Sequence, residues 1–345
     1  MTAETRSDPL HDAYKPLFET RLTRLFGMRH PVMVGGMMFH SRADFVAACA
    51  RAGTMAFLTA KSCRDARELR ANLTRCTDLA EGAPWGLNLS ISRFRPNDIV
   101  DAALDLAAEL GITRFETSGS FPGDVLRRIH DMGGVVIHKA TQLRHAIKAA
   151  EGGADALIVV GAEAGGHPGT NPHPSHVILA ELLKHTDVPV AIGGGIGTGR
   201  QILGALAQGA DAAVVVSRLL TATEIRVHDN YRTRMVQAGI DDSIVVLGSI
   251  KDTWRVLRNA TSEWVAAREK ELGDTATHAA FGEVLKGAYA REHAYAGGDM
   301  DRGMMSCSSA VAHADRIAPA GDILYQLMRE TDEAARALAN LAHRP

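Results

Sequence analysis

What most narrows the fold of this 345-residue chain is one phrase repeated along it: an amphipathic stretch stops at glycine, and a short apolar run follows. Segment 41–51 stops just before Gly53 and leads into 55–58; segment 97–110 stops at Gly111 and leads into 114–117. Segment 124–132 meets Gly133-Gly134 before 135–139, and 141–151 meets Gly152-Gly153 before 156–160. Segment 198–208 meets Gly209 before 212–216. A helix that leaves through a left-handed residue needs glycine at its exit, so each junction predicts a helix turning into a strand. Two junctions, Glu151-Gly-Gly-Ala-Asp155 and Gln208-Gly-Ala-Asp211, are nearly the same words, a weak internal repeat of a βα unit.

Eight apolar runs result: 31–34, 55–58, 85–89, 114–117, 135–139, 156–160, 189–192 and 212–216. Near-continuous apolar strands separated by helices imply parallel pairing with both faces covered. Eight such units predict an α/β fold, a (β/α)8 TIM barrel. An open doubly wound sheet is the alternative, but it usually begins with a dinucleotide fingerprint, and none is visible. After Val216 the pattern changes. Segment 225–302 carries Trp254, Trp264, Tyr289 and Tyr295 and reads as helical, with a strand hinted only at 243–247. The expected division is a barrel over 1–222 with the first ~20 residues as an extension, a mostly helical lid over 223–305, and a segment over 306–345 that returns to the barrel. An amphipathic helix over 319–342 would dock it.

Composition excludes several classes. Thirty-eight Lys and Arg stand against 40 Asp and Glu, for a net charge of -2, so no basic footprint for nucleic acid or an anionic membrane exists. The longest apolar runs are strand-length, far below the ~18 residues of a membrane span. Residues 1–16 are polar and carry no signal-peptide core. Cys49, Cys63, Cys76 and Cys307 make neither a CxxC pair nor a metal-ligand spacing. The expectation is a cytoplasmic protein with reduced thiols and no metal.

A barrel builds its site from the loops at the C-terminal ends of its strands. After the first strand come Gly35, Gly36 and Met37, where paired glycines allow backbone to approach a flat ligand or simply make a tight turn. The third strand carries Asn88 and Ser90, and the fifth ends in His138-Lys139. A lysine there carries a Schiff base, holds an anion or is solvated. After the sixth strand, Gly161-Ala-Glu-Ala-Gly165-Gly166-His167-Pro-Gly169 presents one titratable side chain in a glycine-rich loop. The seventh strand runs into Gly193-Gly194-Gly195-Ile-Gly-Thr-Gly199-Arg200 and a helix, a pattern that cradles phosphate with unpaired N–H groups and the helix dipole. Val215, Val216 and Ser217, at the end of the eighth strand, face the same place. GxGxxG does not fit the glycine run, and the run lacks the Lys and Ser/Thr of a P-loop.

In order and spacing, the Gly161–Gly169 loop, Pro31-Val-Met-Val-Gly-Gly-Met37, Trp85-Gly-Leu-Asn-Leu89, Val136-Ile-His-Lys139, Gly193-Gly-Gly195 and Gly209-Ala-Asp211 with Arg218 resemble the nitronate monooxygenase family, near its bacterial NADH:quinone reductase branch. The resemblance runs from Leu25 to Met328. It implies an FMN-binding barrel with an added substrate domain. Gly35, Gly36 and Met37 would lie along the flavin ring; Asn88 and Lys139 would meet its polar edge. Gly165 and Gly166 would line the same site. Gly194, Gly195, Val215, Val216 and Ser217 would hold the phosphate, and His167 would be catalytic. The chain also departs from the pattern. Val215-Val216-Ser217-Arg218 replaces Met-Gly-Thr-Arg, which raises the question of whether Val216 can take a glycine's backbone conformation. Val160 stands where relatives carry an acid, Ser306-Cys-Ser-Ser309 replaces Ser-Ala-Gly-Gln, and a C-terminal motif with Tyr and Lys is absent.

The resemblance therefore predicts an FMN-dependent oxidoreductase, first of all one that oxidises alkyl nitronates with O2. The alternative is NADH- or NADPH-dependent reduction of quinones, enones or enoyl thioesters. A Schiff-base aldolase through Lys139 and a non-enzymatic flavin-binding protein are further readings. The partners implied are a small-molecule substrate, O2 or a quinone as acceptor, and a second copy of the chain in a homodimer.

Overall fold

The computed structural model describes residues 17–92, 98–170 and 172–342; the polar start at 1–16 lies outside them. Strands β1 (Val32–Val34), β2 (Met55–Thr59), β3 (Gly86–Ile91), β4 (Arg114–Gly119), β5 (Val135–Ala140), β6 (Ala156–Val160), β7 (Val190–Gly193) and β8 (Ala212–Val214) pair in parallel in that order. Closure comes from β1, whose Met33 pairs with Met55 on one side and Val214 on the other. The predicted TIM barrel is therefore the observed one.

Helix α1 (Arg21–Phe26) precedes the barrel. Helices α2 (Ala43–Arg51), α3 (Ala66–Ala80), α4 (Asp98–Leu110), α5 (Gly123–Asp131), α6 (Leu143–Glu151), α7 (Ser175–Leu182) and α8 (Gly199–Ala207) alternate with its strands. Apolar residues on both strand faces explain the layering. One set packs outward under the helices; Met33, Met55, Phe57, Ile137, Ile158 and Ala191 point inward and fill the barrel. Leu22 and Phe26 of α1 join that inner set and plug the barrel's N-terminal end. Arg21 fixes the plug through Asp211, at 2.9 Å from Nε and 2.6 Å from Nη2, while Arg114 Nε donates to the Phe26 carbonyl at 2.8 Å.

Beyond the barrel come α9 (Asp229–Gln237), β9 (Ser243–Val246), β10 (Trp254–Leu257), α10 (Ala260–Leu272), the short α11 (Gly287–Ala290) and a π-helical turn at Arg291–Ala296. This corrects the expectation of a lid with at most one strand. β9 and β10 form an antiparallel hairpin, with Trp254 opposite Val246 and Leu257 opposite Ser243. Four residues are too few to display an alternation, so Trp254–Leu257 carried no strand signal. Val246, Leu247, Val256, Val265, Phe281 and Met304 give this region a small core of its own. The final helix, α12 (Ala320–Ala342), returns against α8 and α2. Among the described residues, no helix is long and apolar enough to cross a membrane.

Candidate active site

The C-terminal ends of the strands open into a cavity of about 580 Å³, within the ~300–1,000 Å³ usual for small-molecule sites. It is walled by the loops after β1, β6, β7 and β8, by the lid, and by residues 304–308. Gly35, Gly36, Met37, Lys139, Gly165, Gly166, His167, Gly194, Gly195, Val216 and Ser217 all line it. Asn88 and Val215 do not. Val215 is fully buried, its N–H bonded to the Met33 carbonyl at 2.9 Å.

Asn88 has a different task. Its Nδ2 donates to Glu116 Oε2 at 2.6 Å, the Gly36 N–H donates to the same oxygen at 2.9 Å, and Lys139 Nζ donates to Oε1 at 2.8 Å. Glu116, on β4, is wholly buried. A carboxylate without water is tolerable only when its lone pairs are occupied, and a cation and two amides do so here. Lys139 keeps a partly open ammonium at the cavity floor. Sequence reasoning missed Glu116. The available signal was an acid in mid-strand, Arg114-Phe-Glu-Thr, between residues read as core. Gly36 is required by the same arrangement, since a Cβ there would sit 2.6 Å from Asn88 Cγ and 2.9 Å from Thr59 Oγ1.

At the other end, Gly194 and Gly195 take left-handed backbone conformations with φ of 108° and 69°. Among the described residues, the amides of Gly194, Gly195 and Val216 have no protein acceptor. These loop amides, rather than the N-terminus of α8, are the ones left open to an acceptor. The N-terminus of α8 is already satisfied: Thr198 and Gln201 make a capping box, and Glu330 of α12 accepts from Gly199 N at 3.0 Å. Arg218 is buried between the Gly197 carbonyl, at 3.0 Å, and Glu330, at 3.6 Å. Val216 sits at φ -132° and ψ -66°, on the negative-φ side and outside the left-handed region that favours glycine. The position therefore does not call for a glycine's positive φ. Strand β8 ends early, at Val214 instead of the expected 216. Ser217 Oγ accepts from both the N–H and the hydroxyl of Ser308, at 2.9 Å each, and so ties the C-terminal segment to the loop.

His167 stands in the cavity with its imidazole stacked on Trp254, ring centres 4.7 Å apart and planes 24° apart. Its side chain is half open to the solvent of the cavity, but the surrounding protein desolvates it and pushes its pKa below the ordinary histidine value. Asp252, 3.7 Å from Nε2, pulls weakly the other way. The shift favours the uncharged ring. Gly165 lets its loop pass against the Cys307–Ser308 backbone, 2.5 Å from where a Cβ would stand.

A second cluster escaped sequence reasoning. His40 lines the cavity wall and stacks edge-on with Tyr295 at 4.6 Å; its Nε2 lies 3.3 Å from the Tyr231 hydroxyl. Burial pushes its pKa to about 4, so it is neutral as well. Among the described residues, no group of His, Cys, Asp or Glu could hold a metal ion.

A flat face at Gly35–Met37, a lysine on the floor and free amides at the far end together fit a planar ring with a phosphate tail. The nitronate monooxygenase family model matches residues 19–330. A Mycobacterium tuberculosis protein named (3aS,4S,5R,7aS)-5-hydroxy-7a-methyl-1-oxo-octahydro-1H-indene-4-carboxyl-CoA dehydrogenase is 31% identical over 257 residues, covering 74% of this chain and 70% of its own. The protein of the same name from Rhodococcus jostii is 32% identical over 228 residues, covering 66% of this chain and 62% of its own. Among solved structures, FabK from Thermotoga maritima superposes with a TM-score of 0.83 at 25% identity, covering 94% of this chain and 99% of that one. With a family match that spans every loop of the cavity, the chain belongs to the nitronate monooxygenase family of oxidoreductases.

Proposed function

We propose that this chain is an FMN-dependent oxidoreductase whose substrate is a carbon acid, a molecule with a C–H bond beside a carbonyl or thioester group. The observation that carries the reading is His167 facing the cavity, where desolvation lowers its pKa and favours the neutral ring. An uncharged imidazole suits removal of a proton from, or return of one to, a neutral substrate; an anion such as a nitronate needs no base and would gain more from a charged ring. The names of two relatives at 31% and 32% identity, both thioester dehydrogenases, support the same order of preference over nitronate oxidation.

FMN, when bound, supplies the acceptor and donor of the hydride. The Gly194, Gly195 and Val216 amides would hold its phosphate, and Gly35, Gly36 and Met37 would lie along its ring. Lys139, fixed by Glu116, would offer positive charge to the reduced ring. His167 handles the substrate proton, and Met37, Met38 and Met304 keep an apolar surface beside it. In the oxidising direction His167 would take the proton of the C–H bond beside the carbonyl, and the hydride of the neighbouring carbon is the two-electron equivalent that bound FMN would accept. O2, a quinone or a nicotinamide would be the final electron acceptor.

The test is anaerobic bleaching of the flavin bands of the purified protein by three separate donors: an acyl-CoA, NADH or NADPH, and propionate 3-nitronate. Bleaching by acyl-CoA, or by NAD(P)H with reoxidation by an enoyl thioester, supports the reading. Bleaching by the nitronate alone replaces it with nitronate oxidation, and absence of flavin bands even after FMN is added ends both.

A further inference from the structure

We propose that Asp252, on the turn between β9 and β10, is a positioning residue that orients His167, with Trp254 as the platform beneath the ring; the proposal rests on the proton-transfer role given to His167 above. A histidine flanked by Gly165, Gly166 and Gly169 receives little orientation from its own loop. The lid supplies it. Gly166 and Arg255 exchange two backbone hydrogen bonds, N–H to carbonyl at 2.9 Å in one direction and 2.7 Å in the other. The histidine loop is thereby spliced onto the outer edge of β10, and further along that edge Leu257 N donates to the Met305 carbonyl at 2.7 Å. The histidine loop and the β9–β10 turn are thus joined next to His167.

The side chains complete the arrangement. Trp254 stacks on the imidazole and is itself pinned by donation from Nε1 to Ser306 Oγ at 2.9 Å. Asp252 Oδ1 stands 3.7 Å from His167 Nε2, and its Oδ2 lies 3.0 Å from His278 Nε2, so the second histidine holds the carboxylate in place. Before substrate binds, such pairs are often a little longer than a hydrogen bond and tighten when water is excluded. A carboxylate facing Nε2 selects the tautomer with its hydrogen on that nitrogen and leaves Nδ1 as the proton acceptor. Other charges around the ring are engaged elsewhere. Arg255 points its guanidinium to the Ala162 carbonyl and Ser243, Glu163 accepts from Ser175, and Lys139 is paired with Glu116 across the cavity.

The experiment is 15N NMR of the imidazoles in the full-length protein across pH, for the wild type, Asp252→Asn and Asp252→Glu, beside kcat and KM for whichever donor bleaches the flavin. Loss of the anion is expected to move the His167 titration to lower pH and to mix its tautomers. Outer partners that fix an imidazole typically count for roughly tenfold to a hundredfold, so kcat should fall by that factor with KM little changed. Asp252→Glu should restore both readouts. A His167 signal that titrates identically in Asp252→Asn overturns the inference. A shifted signal in a protein that turns over none of the donors upholds Asp252's hold on His167 and removes the functional reading instead. Should Asp252→Asn fail to fold, Trp254→Leu takes its place: loss of the single His167 tautomer supports the proposal, and retention overturns it.

Discussion

Gly36 shows how one missing methyl group can organise a site. Its N–H reaches Glu116 only because no Cβ lies against Asn88 and Thr59. Gly36→Ala must push Asn88 off Glu116, and a buried carboxylate that loses a donor costs about 1–3 kcal/mol. The expected outcome is a lower denaturation midpoint together with reduced flavin retention after purification; full retention of flavin would separate this glycine from the ring site. The buried histidines set the acid stability. His40 and His138 are both held at about 4 by burial, whereas an unfolded chain titrates them near 6.5. Between those values the unfolded state binds protons that the folded state refuses. The histidines' contribution is therefore intact above pH 6.5, falls as pH drops toward 4 and levels below it, by at most about 3 kcal/mol for each histidine. Carboxylates such as Glu68, lowered against desolvation to about 2 by its arginine partners, lose their share at lower pH. Urea unfolding at pH 7, 5 and 4 reads this slope, and His40→Gln should flatten part of it. An unchanged slope would mean that His40 titrates normally.

At the scale of elements, α1 and the β9–β10 hairpin both act by packing and pairing rather than by chemistry. The plug formed by Leu22 and Phe26 fills the end of the barrel opposite the cavity. Phe26→Ala leaves a void among Met33, Met55 and Phe57 and should cost about 3–5 kcal/mol in urea unfolding, as large core truncations do. A loss below 1 kcal/mol would mean that the barrel closes without its plug. The hairpin was half visible in the sequence: 243–247 hinted at a strand, while Trp254–Leu257 gave no periodic signal. Its partners, Gly166 and residues 305–306, lie about 90 residues upstream and 50 downstream. No local pattern reports pairing over that distance.

The whole molecule ties distant segments together in and around its site. Ser217 meets Ser308, Gly199 meets Glu330, and the histidine loop meets the lid. If loop amides bind the phosphate of FMN, added FMN should raise the unfolding temperature of cofactor-stripped protein with concentration, as mass action requires of a ligand that binds only the folded state. A flat response would leave those amides without their proposed ligand. Glu330→Gln tests the other half of the assignment. Because that carboxylate caps α8 outside the cavity, the change should lower stability by about 1 kcal/mol and leave FMN affinity unmoved; a large loss of affinity would return the anion site to the helix terminus.

The barrel was legible because its determinants are local: apolar runs of strand length, amphipathic runs between them, and glycine where a helix must exit left-handed. The same locality exposed the loops at the strand ends, so Gly35, Gly36, Lys139, His167 and Gly194 could be named from order and spacing alone. The contacts that set their chemistry were not local. Glu116 beneath Lys139, Asp252 and Trp254 around His167, His40 against Tyr231, and Glu330 on α8 join residues separated by 23 to 191 positions. Sequence periodicity carries the direction in which a side chain points within its own element. Which distant partner it meets depends on the closure of the barrel and the docking of the lid, and only the tertiary structure decides that.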